Sequence, residues 1–108
     1  MLRFEEVAPD ARLQYLDLLL VGDEDPAMLQ RYLGAGTLFA AIDQQVPVGV
    51  AMVVAVNATT VELKNLAVTP ARRRQGIASG LLRHVSLVYA EKYQDMLVGT
   101  GDADFDNL

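Results

Sequence analysis

The residues best suited to chemistry lie between positions 70 and 79, where a basic turn with one glycine precedes an apolar, helix-like pattern. The turn reads Pro-Ala-Arg-Arg-Arg-Gln-Gly-Ile-Ala-Ser. The first turn of a helix has N–H groups without partners and about half a positive charge, so a phosphate group binds there readily. The pattern therefore predicts a diphosphate bound by the backbone amides of residues 74–79, with charge from Arg73 and a hydroxyl from Ser79.

Two small residues in the turn favour this interpretation. Gly76 lets the backbone approach an anion closely, and Ala78 is small enough to keep the helix near the preceding strand. Arg72 taken alone has a simpler interpretation, as a solvated cation in a surface turn. A nucleotide-binding P-loop is disfavoured, because no Gly-Lys-Ser/Thr follows the turn.

The elements that position this turn follow from the spacing of apolar residues. They occur in the order β-α-α-β-β-β-α-β, which indicates an α/β (α+β) chain with a largely antiparallel sheet and one helical crossover. The final helix is expected to pack its apolar face on the sheet, so that its N-terminus points at the end of the preceding strand. The predicted strands are 2–7, 37–43, 46–56, 60–69 and 96–100, and the predicted helices are 9–21, 23–34 and 76–93. The apolar positions are Leu13, Leu16 and Leu20 in the first helix, and Ile77, Leu81, Val85 and Val88, flanked by Ala78, Leu82 and Tyr89, in the last.

Length and composition predict one domain spanning residues 1–108 in a reducing compartment, the cytoplasm. The chain has no cysteine, which excludes disulfides and thiolate metal sites. Its net charge of −5 argues against a nucleic-acid partner. The N-terminus lacks a signal-peptide pattern, and the longest apolar run, 46–56, is too short to span a membrane.

The turn and its flanks resemble a known family. The pattern Val68-x-Pro70-x-x-Arg73-x-x-Gly76-Ile77-Ala78 is similar to the acyl-CoA loop of the GNAT superfamily of N-acetyltransferases, whose signature is Arg/Gln-x-x-Gly-x-Gly/Ala. The resemblance extends over nearly the whole chain. It implies a GNAT-like mixed sheet flanked by helices, acetyl-CoA as cosubstrate, and a primary amine of a small molecule or peptide as acceptor.

The same resemblance implies how the cosubstrate is held. In the family, a bulge in the fourth strand frees an edge with which the pantetheine arm pairs, and this edge corresponds to residues 66–68 here. The N–H of Leu66 would face the thioester carbonyl and stabilise the oxyanion, and Val68 would bond the arm. The implied cofactor-binding residues are Leu66, Ala67, Val68, Arg73, Arg74, Gln75, Gly76, Ile77, Ala78, Ser79 and Asn107.

Glu62 is the candidate general base, because many GNAT enzymes have a glutamate at the corresponding place and an amine must lose a proton before it attacks. In a regular strand Glu62, Lys64 and Leu66 share one face, although a bulge would shift that phase. The alternative is an exposed strand carboxylate paired with Lys64. Both interpretations stay open at this point.

Three further features have both a chemical and a structural interpretation. Asn65 either positions substrate or sits at the bulge, and His84 is either a base or part of the core. The acidic run with Asp102, Asp104 and Asp106 has a spacing that suggests calcium. It lacks the glycine and distal glutamate of an EF-hand loop, so no metal site is predicted.

The resemblance implies that the last helix and strands of the family are absent from this sequence, as in a truncated or shortened member. The family's helix tyrosine, which protonates the departing thiolate, has no counterpart, since Tyr89 and Tyr93 precede its place. The open sheet edge could be covered by a complementary chain, by self-association as a homodimer, or by a ligand. Two functions follow: an acetyl-CoA-dependent N-acetyltransferase, or a catalytically impaired module that binds CoA or a protein.

Overall fold

The structure, a computed structural model, describes residues 2–22, 27, 30 and 34–98. Its strands form one five-stranded sheet in the order β1-β2-β3-β4-β5. Neighbouring strands are antiparallel except β4 and β5, which are parallel and connected through the helix Ile77–Tyr89. The strands are β1 (Leu2–Val7), β2 (Thr37–Asp43), β3 (Val46–Ala55), β4 (Thr60–Val68) and β5 (Asp95–Val98), and the helices are α1 (Leu16–Gly22) and α2 (Ile77–Tyr89), with 3₁₀ turns at Pro9–Tyr15 and Pro70–Arg72. The predicted fold class is confirmed.

The sheet has an apolar core on each face. The α2-side core packs beneath α2, and the α1-side core packs beneath α1 and the 3₁₀ turn before it. Because side chains alternate across a strand, β2, β3 and β4 contribute to both. The α2-side core contains Phe39, Val53, Val61, Leu63, Leu66, Val68, Ile77, Leu81 and Val85, among others. The α1-side core contains Val7, Leu19, Leu38, Ala40, Ile42, Val50, Met52 and Ala67.

Helix α2 lies close to β3 because Gly49 has no side chain. A Cβ atom added at Gly49 would lie 3.0 Å from Cγ2 of Ile77 and 3.1 Å from Cδ1 of Leu81. The prediction that Val88 belongs to the buried face was wrong, since Val88 is 46% exposed. The buried stripe instead advances in steps of four residues and continues to Tyr89, which packs against the α2-side core.

The first predicted helix divides into two parts. Residues Pro9–Tyr15 form a 3₁₀ turn without a side-chain cap, and only Leu16–Gly22 is α-helical. The prediction that Leu13 lies on the apolar face of this helix was wrong, because its side chain is 71% exposed. Leu19 is the fully buried residue of α1, since the change from 3₁₀ to α geometry alters which residues face the sheet.

Strand β4 contains one extra residue opposite β3. Met52 pairs with Asn65, whereas the next residue of β3, Val53, pairs with Leu63, so Lys64 has no opposing partner in the ladder. A bulge of this kind reverses the side-chain phase beyond it. Leu63 and Leu66 therefore both lie in the α2-side core although they are three positions apart.

The other element bounds differ little from the predictions. Helix α2 ends at Tyr89, four residues before the predicted end at position 93. The chain then turns, and just before β5 the N–H of Gln94 donates to the carbonyl of Thr59. No helix of residues 2–22 and 34–98 is long and apolar enough to cross a membrane. Of the predicted second helix only residues 27, 30 and 34 are described, and residues 27 and 30 are helical. The last two residues of the predicted final strand, Asn107 and the acidic run with Asp102, Asp104 and Asp106 lie outside the described residues.

Candidate functional site

The N-terminus of α2 presents backbone amides without a side-chain cap. Gly76 is the N-cap residue, with φ of 82° in the left-handed region, and no side chain hydrogen-bonds to the helix end. The first bond of the helix runs from the N–H of Gly80 to the carbonyl of Gly76, with an N–O distance of 3.0 Å. The amides of Ile77, Ala78 and Ser79 precede that bond and have no carbonyl of their own helix to reach.

The side chains around these amides differ in exposure. Ile77 and Ala78 are buried, at 1% and 5% exposure, whereas Ser79 is exposed. Arg73 and Arg74 are exposed as well. The structure thus brings together a helix N-terminus, two cations and a hydroxyl, which is the set that binds a phosphate group.

Arg74 holds a strained backbone conformation in this loop. Its φ is 64°, in the left-handed region, which costs a residue with a side chain about 1–2 kcal/mol. Glycine has no such penalty but loses about 0.5–1 kcal/mol through its freer unfolded chain. We therefore expect Arg74→Gly to raise the free energy of unfolding by up to about 1 kcal/mol, measured as a melting temperature a few degrees higher.

Arg73→Gly is the matched control for that measurement. It removes the same side chain and charge one residue earlier, where φ is −68° and the backbone is extended. At position 73 glycine relieves no strain and only makes the unfolded chain freer, so the melting temperature of Arg73→Gly should fall. If both variants shift the melting temperature alike, the φ of Arg74 is not a source of strain.

The second half of β4 turns backbone polar groups toward an edge that the described part of β5 does not cover. The N–H of Thr69 donates to the carbonyl of Val48 at 2.9 Å. Because bonded and non-bonded pairs alternate along an antiparallel ladder, Leu66 and Val68 aim their N–H and C=O groups away from β3. On that side, the described residues of β5 pair only with Thr60–Leu63.

Glu62 lies on β4 just before the bulge. Its Oε1 is 3.0 Å from the Nζ of Lys64, and the two side chains are 21% and 33% exposed. The ion pair expected from the structural interpretation of Glu62 is therefore present. Across the ladder Glu62 pairs with Val54, whose side chain packs against the α1-side core. The carboxylate thus lies on the α1 side of the sheet and remains reachable by solvent.

Glu62 and Leu66 do not share a face, because β4 contains the bulge that was expected to shift the phase of a regular strand. The extra residue Lys64 reverses the phase, so the side chain of Leu66 lies in the α2-side core while Glu62 lies on the opposite side of the sheet. The backbone N–H of Leu66 is unaffected by this, because it points along the sheet, toward the edge that the described part of β5 leaves uncovered, rather than out of either face.

Asn65 follows the bulge and is fully buried. Its Nδ2 donates to the carbonyl of Leu19 at 2.8 Å, which joins β4 to α1. A Cβ atom at Gly22 would come within 3 Å of the Asn65 side chain, so the glycine permits this close approach. These contacts agree with the structural interpretation of Asn65.

His84 lies in a row of aromatic rings on the α2 side of the sheet. Its ring centroid is 5.9 Å from that of Phe4 and 5.7 Å from that of Phe39. The row continues from Phe39 to Tyr89 and from Tyr89 to Tyr93. These contacts agree with the interpretation of His84 as part of the core.

An ion pair that the sequence analysis missed joins the loop to the sheet. The Nη2 of Arg72 donates to Oδ2 of Asp43 at 2.8 Å, and its Nε donates to Oε1 of Gln75 at the same distance. Asp43 ends β2, directly before the tight turn at Gln44 and Gln45. Both turn residues have positive φ, as a two-residue hairpin loop of the primed type requires. Arg72 is therefore paired with side chains of the protein while its own side chain remains 34% exposed.

The Arg72 guanidinium holds the pKa of Asp43 below its ordinary value of 3.8. A carboxylate whose pKa is lower in the folded chain adds stability above its unfolded pKa and loses it as the pH falls through the folded value. We expect Asp43→Asn to lower the melting temperature at pH 7, and the difference from wild type to vanish below that folded value. A difference that persists unchanged in acid would contradict the role of the charge.

Comparison with known proteins identifies the family. The family model described as "Acetyltransferase (GNAT) domain" matches residues 34–105. The chain belongs to the GNAT acetyltransferase family. No curated protein sequence matches this GNAT chain. Among residues 2–22 and 34–98 no three potential metal ligands come together, and the expectation that no metal is bound stays a prediction.

Solved structures resemble the GNAT chain over most of its length. A GNAT family acetyltransferase from Elizabethkingia anophelis with acetyl-CoA bound has 28% identity and a TM-score of 0.87, over 97% of this chain and 69% of that chain. An IAA acetyltransferase from Bacillus cereus has 25% identity and a TM-score of 0.85, over 98% and 70%. An aminoglycoside acetyltransferase from an uncultured soil metagenomic sample, in complex with sisomicin, has 20% identity and a TM-score of 0.73, over 95% and 80%. The last of these supports the fold alone.

Proposed function

We propose that this chain is an acetyl-CoA-dependent N-acetyltransferase, acting as one domain in the cytoplasm on a primary amine of a small molecule or peptide. The observation that carries the proposal is the uncapped N-terminus of α2 with Gly76 at φ of 82°. It follows a strand whose backbone polar groups at Leu66 and Val68 face an edge that the described part of β5 does not cover. The similar structure with acetyl-CoA bound supports the same conclusion.

The residues present fit the diphosphate of CoA. The amides of residues 74–79 would bind the anion, and the exposed Arg73 and Arg74 would add charge. Each hydrogen bond between charged groups contributes about 1.5–3 kcal/mol, and the helix end adds about 0.3–1 kcal/mol. These contributions bind only one end of the ligand, so the pantetheine arm must supply further contacts.

The edge of β4 at residues 66–68, which the described part of β5 leaves uncovered, fits the peptide-like pantetheine arm. An extended amide chain pairs with an exposed strand edge through its backbone groups. Val68 and Ala67 would lie along the arm, and the N–H of Leu66 would face the thioester carbonyl. As the amine attacks, that carbonyl oxygen gains negative charge, and a fixed N–H donor stabilises it more than it stabilises the ground state.

Glu62 is the proposed base. A primary amine with a pKa near 10 is neutral in only about one molecule per thousand at pH 7, so a carboxylate that removes its proton raises the rate. Glu62 is partly exposed on the α1 side of the sheet and its Oε1 is held by Lys64. The ion pair fixes the carboxylate's position while leaving its second oxygen to accept the proton, directly or through a water molecule.

Neither Tyr89 nor Tyr93 is placed to protonate the leaving group. Tyr89 and Tyr93 lie at the C-terminal end of α2, away from its N-terminus. Acetyl-CoA supplies an acetyl group already activated as a thioester. Since a thiol has a pKa of about 8.5, the thiolate departs near neutral pH without a dedicated acid.

Thiol release from acetyl-CoA in the presence of a panel of primary amines tests the proposal, with mass spectrometry of the amines. We expect release that depends on the amine and a product heavier by one acetyl group. Calorimetric titration with acetyl-CoA measures binding separately. No binding would overturn the site, and binding without product in any amine class would overturn the enzymatic function.

A second candidate function is a CoA-binding module without turnover. The observation in its favour is the Glu62–Lys64 ion pair at 3.0 Å, because a carboxylate committed to a lysine is a structural group rather than a base. The same titration and product assay separate the two functions, since the module would bind acetyl-CoA and release no thiol.

A further inference from the structure

We infer that Arg72 is a positioning residue that ties the phosphate-binding loop to the sheet through Asp43. The inference rests on the proposed function, since the loop in question, residues 73–76, is the one proposed to bind the diphosphate of CoA. It assigns Arg72 and Asp43 a role in binding although neither would touch the ligand.

Arg72 contacts the loop and the sheet with two separate nitrogens. Its Nε donates to Oε1 of Gln75, inside the loop, and its Nη2 donates to Oδ2 of Asp43, at the end of β2. The guanidinium is planar and rigid, so the two bonds fix Gln75 and Asp43 relative to each other. The side chains of Arg72 and Asp43 are 34% and 22% exposed, and their pair is therefore partly shielded from solvent.

The loop needs such a tie because of its backbone. Arg74 and Gly76 both have positive φ, at 64° and 82°. Arginine is strained there and glycine is unusually free, so other loop conformations lie close in free energy. A ligand's apparent Kd rises by the inverse of the fraction of molecules in the binding conformation. The contacts of Arg72 with Gln75 and Asp43 raise that fraction before the ligand arrives.

In this conformation Arg72 is held by side chains of the protein rather than directed at a ligand. Two of its nitrogens donate to other side chains, and the carboxylate of Asp43 offsets its positive charge. The free positive charge of the loop comes from the exposed Arg73 and Arg74. Arg72 acts through the shape of the loop.

One double variant separates an effect of the pair's charge on affinity from an effect of the pair on the conformation of the loop. Replacing both partners, as Asp43→Asn with Arg72→Gln, removes one negative and one positive charge, so the net charge near the loop is unchanged. If the pair acts through charge alone, the affinity for acetyl-CoA stays at the wild-type value. If it holds the loop, the affinity falls although the charge is the same.

The test is calorimetric titration of the full chain with acetyl-CoA, comparing wild type with the double variant. We expect Kd to rise by about fivefold or more, well below the melting temperature of either protein. In steady-state assays KM for acetyl-CoA should rise with kcat nearly unchanged, because the loop is far from the reacting atoms. Hydrogen exchange at the amides of residues 73–79 without ligand should be faster in the double variant.

The pair of Arg3 and Glu5 on β1 offers a matched control. Their side chains form an ion pair of 3.6 Å, 59% and 45% exposed, and Arg3→Gln with Glu5→Gln is also neutral in net charge. We expect this control to leave Kd and the exchange of residues 73–79 unchanged. The single variant Asp43→Glu keeps Arg72 and the negative charge and shifts the carboxylate by one methylene. Its affinity for acetyl-CoA should lie between that of the double variant and that of wild type.

The failures are distinguishable. If wild type does not bind acetyl-CoA, the proposed function falls and the inference falls with it. If wild type binds and the double variant binds within about twofold of it, the positioning role alone is overturned. A double variant that loses affinity together with the Arg3 and Glu5 control would also overturn it, since the loss would then reflect general destabilisation.

Discussion

Replacement of Gly76 by valine is expected to weaken acetyl-CoA binding tenfold or more, which corresponds to about 1.4 kcal/mol. Gly76 has φ of 82°, where a β-branched side chain is strongly disfavoured. Apart from its chain neighbours, no heavy atom of the described residues lies within 4 Å of a Cβ built at Gly76, so the cost is not a clash with that part of the protein. It arises from the backbone, which must leave the conformation that aims the amides of residues 77–79 at the anion.

The measurement is calorimetric titration, with alanine and valine at position 76 compared. Alanine introduces most of the backbone strain with little bulk, and valine adds volume where the phosphate would lie. Gly34→Val is the matched control, because Gly34 also has open space around a built Cβ but no positive φ. If the Gly76→Val protein folds and binds acetyl-CoA with wild-type affinity, the proposed diphosphate site is contradicted.

Replacement of Glu62 by glutamine is expected to lower kcat by about 10²–10⁴ with little change in KM for acetyl-CoA. Glutamine keeps the shape of glutamate but does not accept a proton from an ammonium group. Stability should change little, because the Glu62–Lys64 pair is partly exposed and such pairs contribute about 0–1 kcal/mol.

The choice of amine sharpens this experiment. An amine with a pKa below the assay pH is already neutral, so the loss of a base should matter much less for it. The deficit of Glu62→Gln should therefore shrink as the amine's pKa decreases. Lys64→Gln removes the other member of the ion pair and should keep most of the activity. A loss that is equal for all amines, or equal for the two variants, would contradict the role of Glu62 as base.

Much of the fold was predictable because local patterns determine it. Strands β1 and β2 have their predicted bounds, since alternation and the turn residues around them left little choice. The N-terminus of α2 at Gly76 was likewise visible, because a glycine between a polar turn and an apolar stripe marks a helix boundary. The loop that forms the candidate site belongs to this predictable part.

The rest depends on geometry that single residue types do not encode. The bulge at Lys64 arises from how β3 and β4 align, and it places Glu62 and Leu66 on opposite faces, where a regular strand would have placed them on one face. The bond between Arg72 and Asp43 joins residues 29 positions apart, and only the β2–β3 hairpin brings them together. Arginine at φ of 64° in residue 74 is also unexpected from its type.

The bulge gives β4 a constraint of length as well as composition. Lys64 is the residue that the ladder does not match, and without it residues 65–68 would exchange faces relative to residues 60–63. Leu66 and Val68 would then leave the core beneath α2, and Asn65 would no longer meet the carbonyl of Leu19. Within this strand, evolution can exchange many side chains. The loss or gain of a single codon between residues 62 and 66, however, would turn the side chains on one side of the change to the opposite face of the sheet and disrupt both cores.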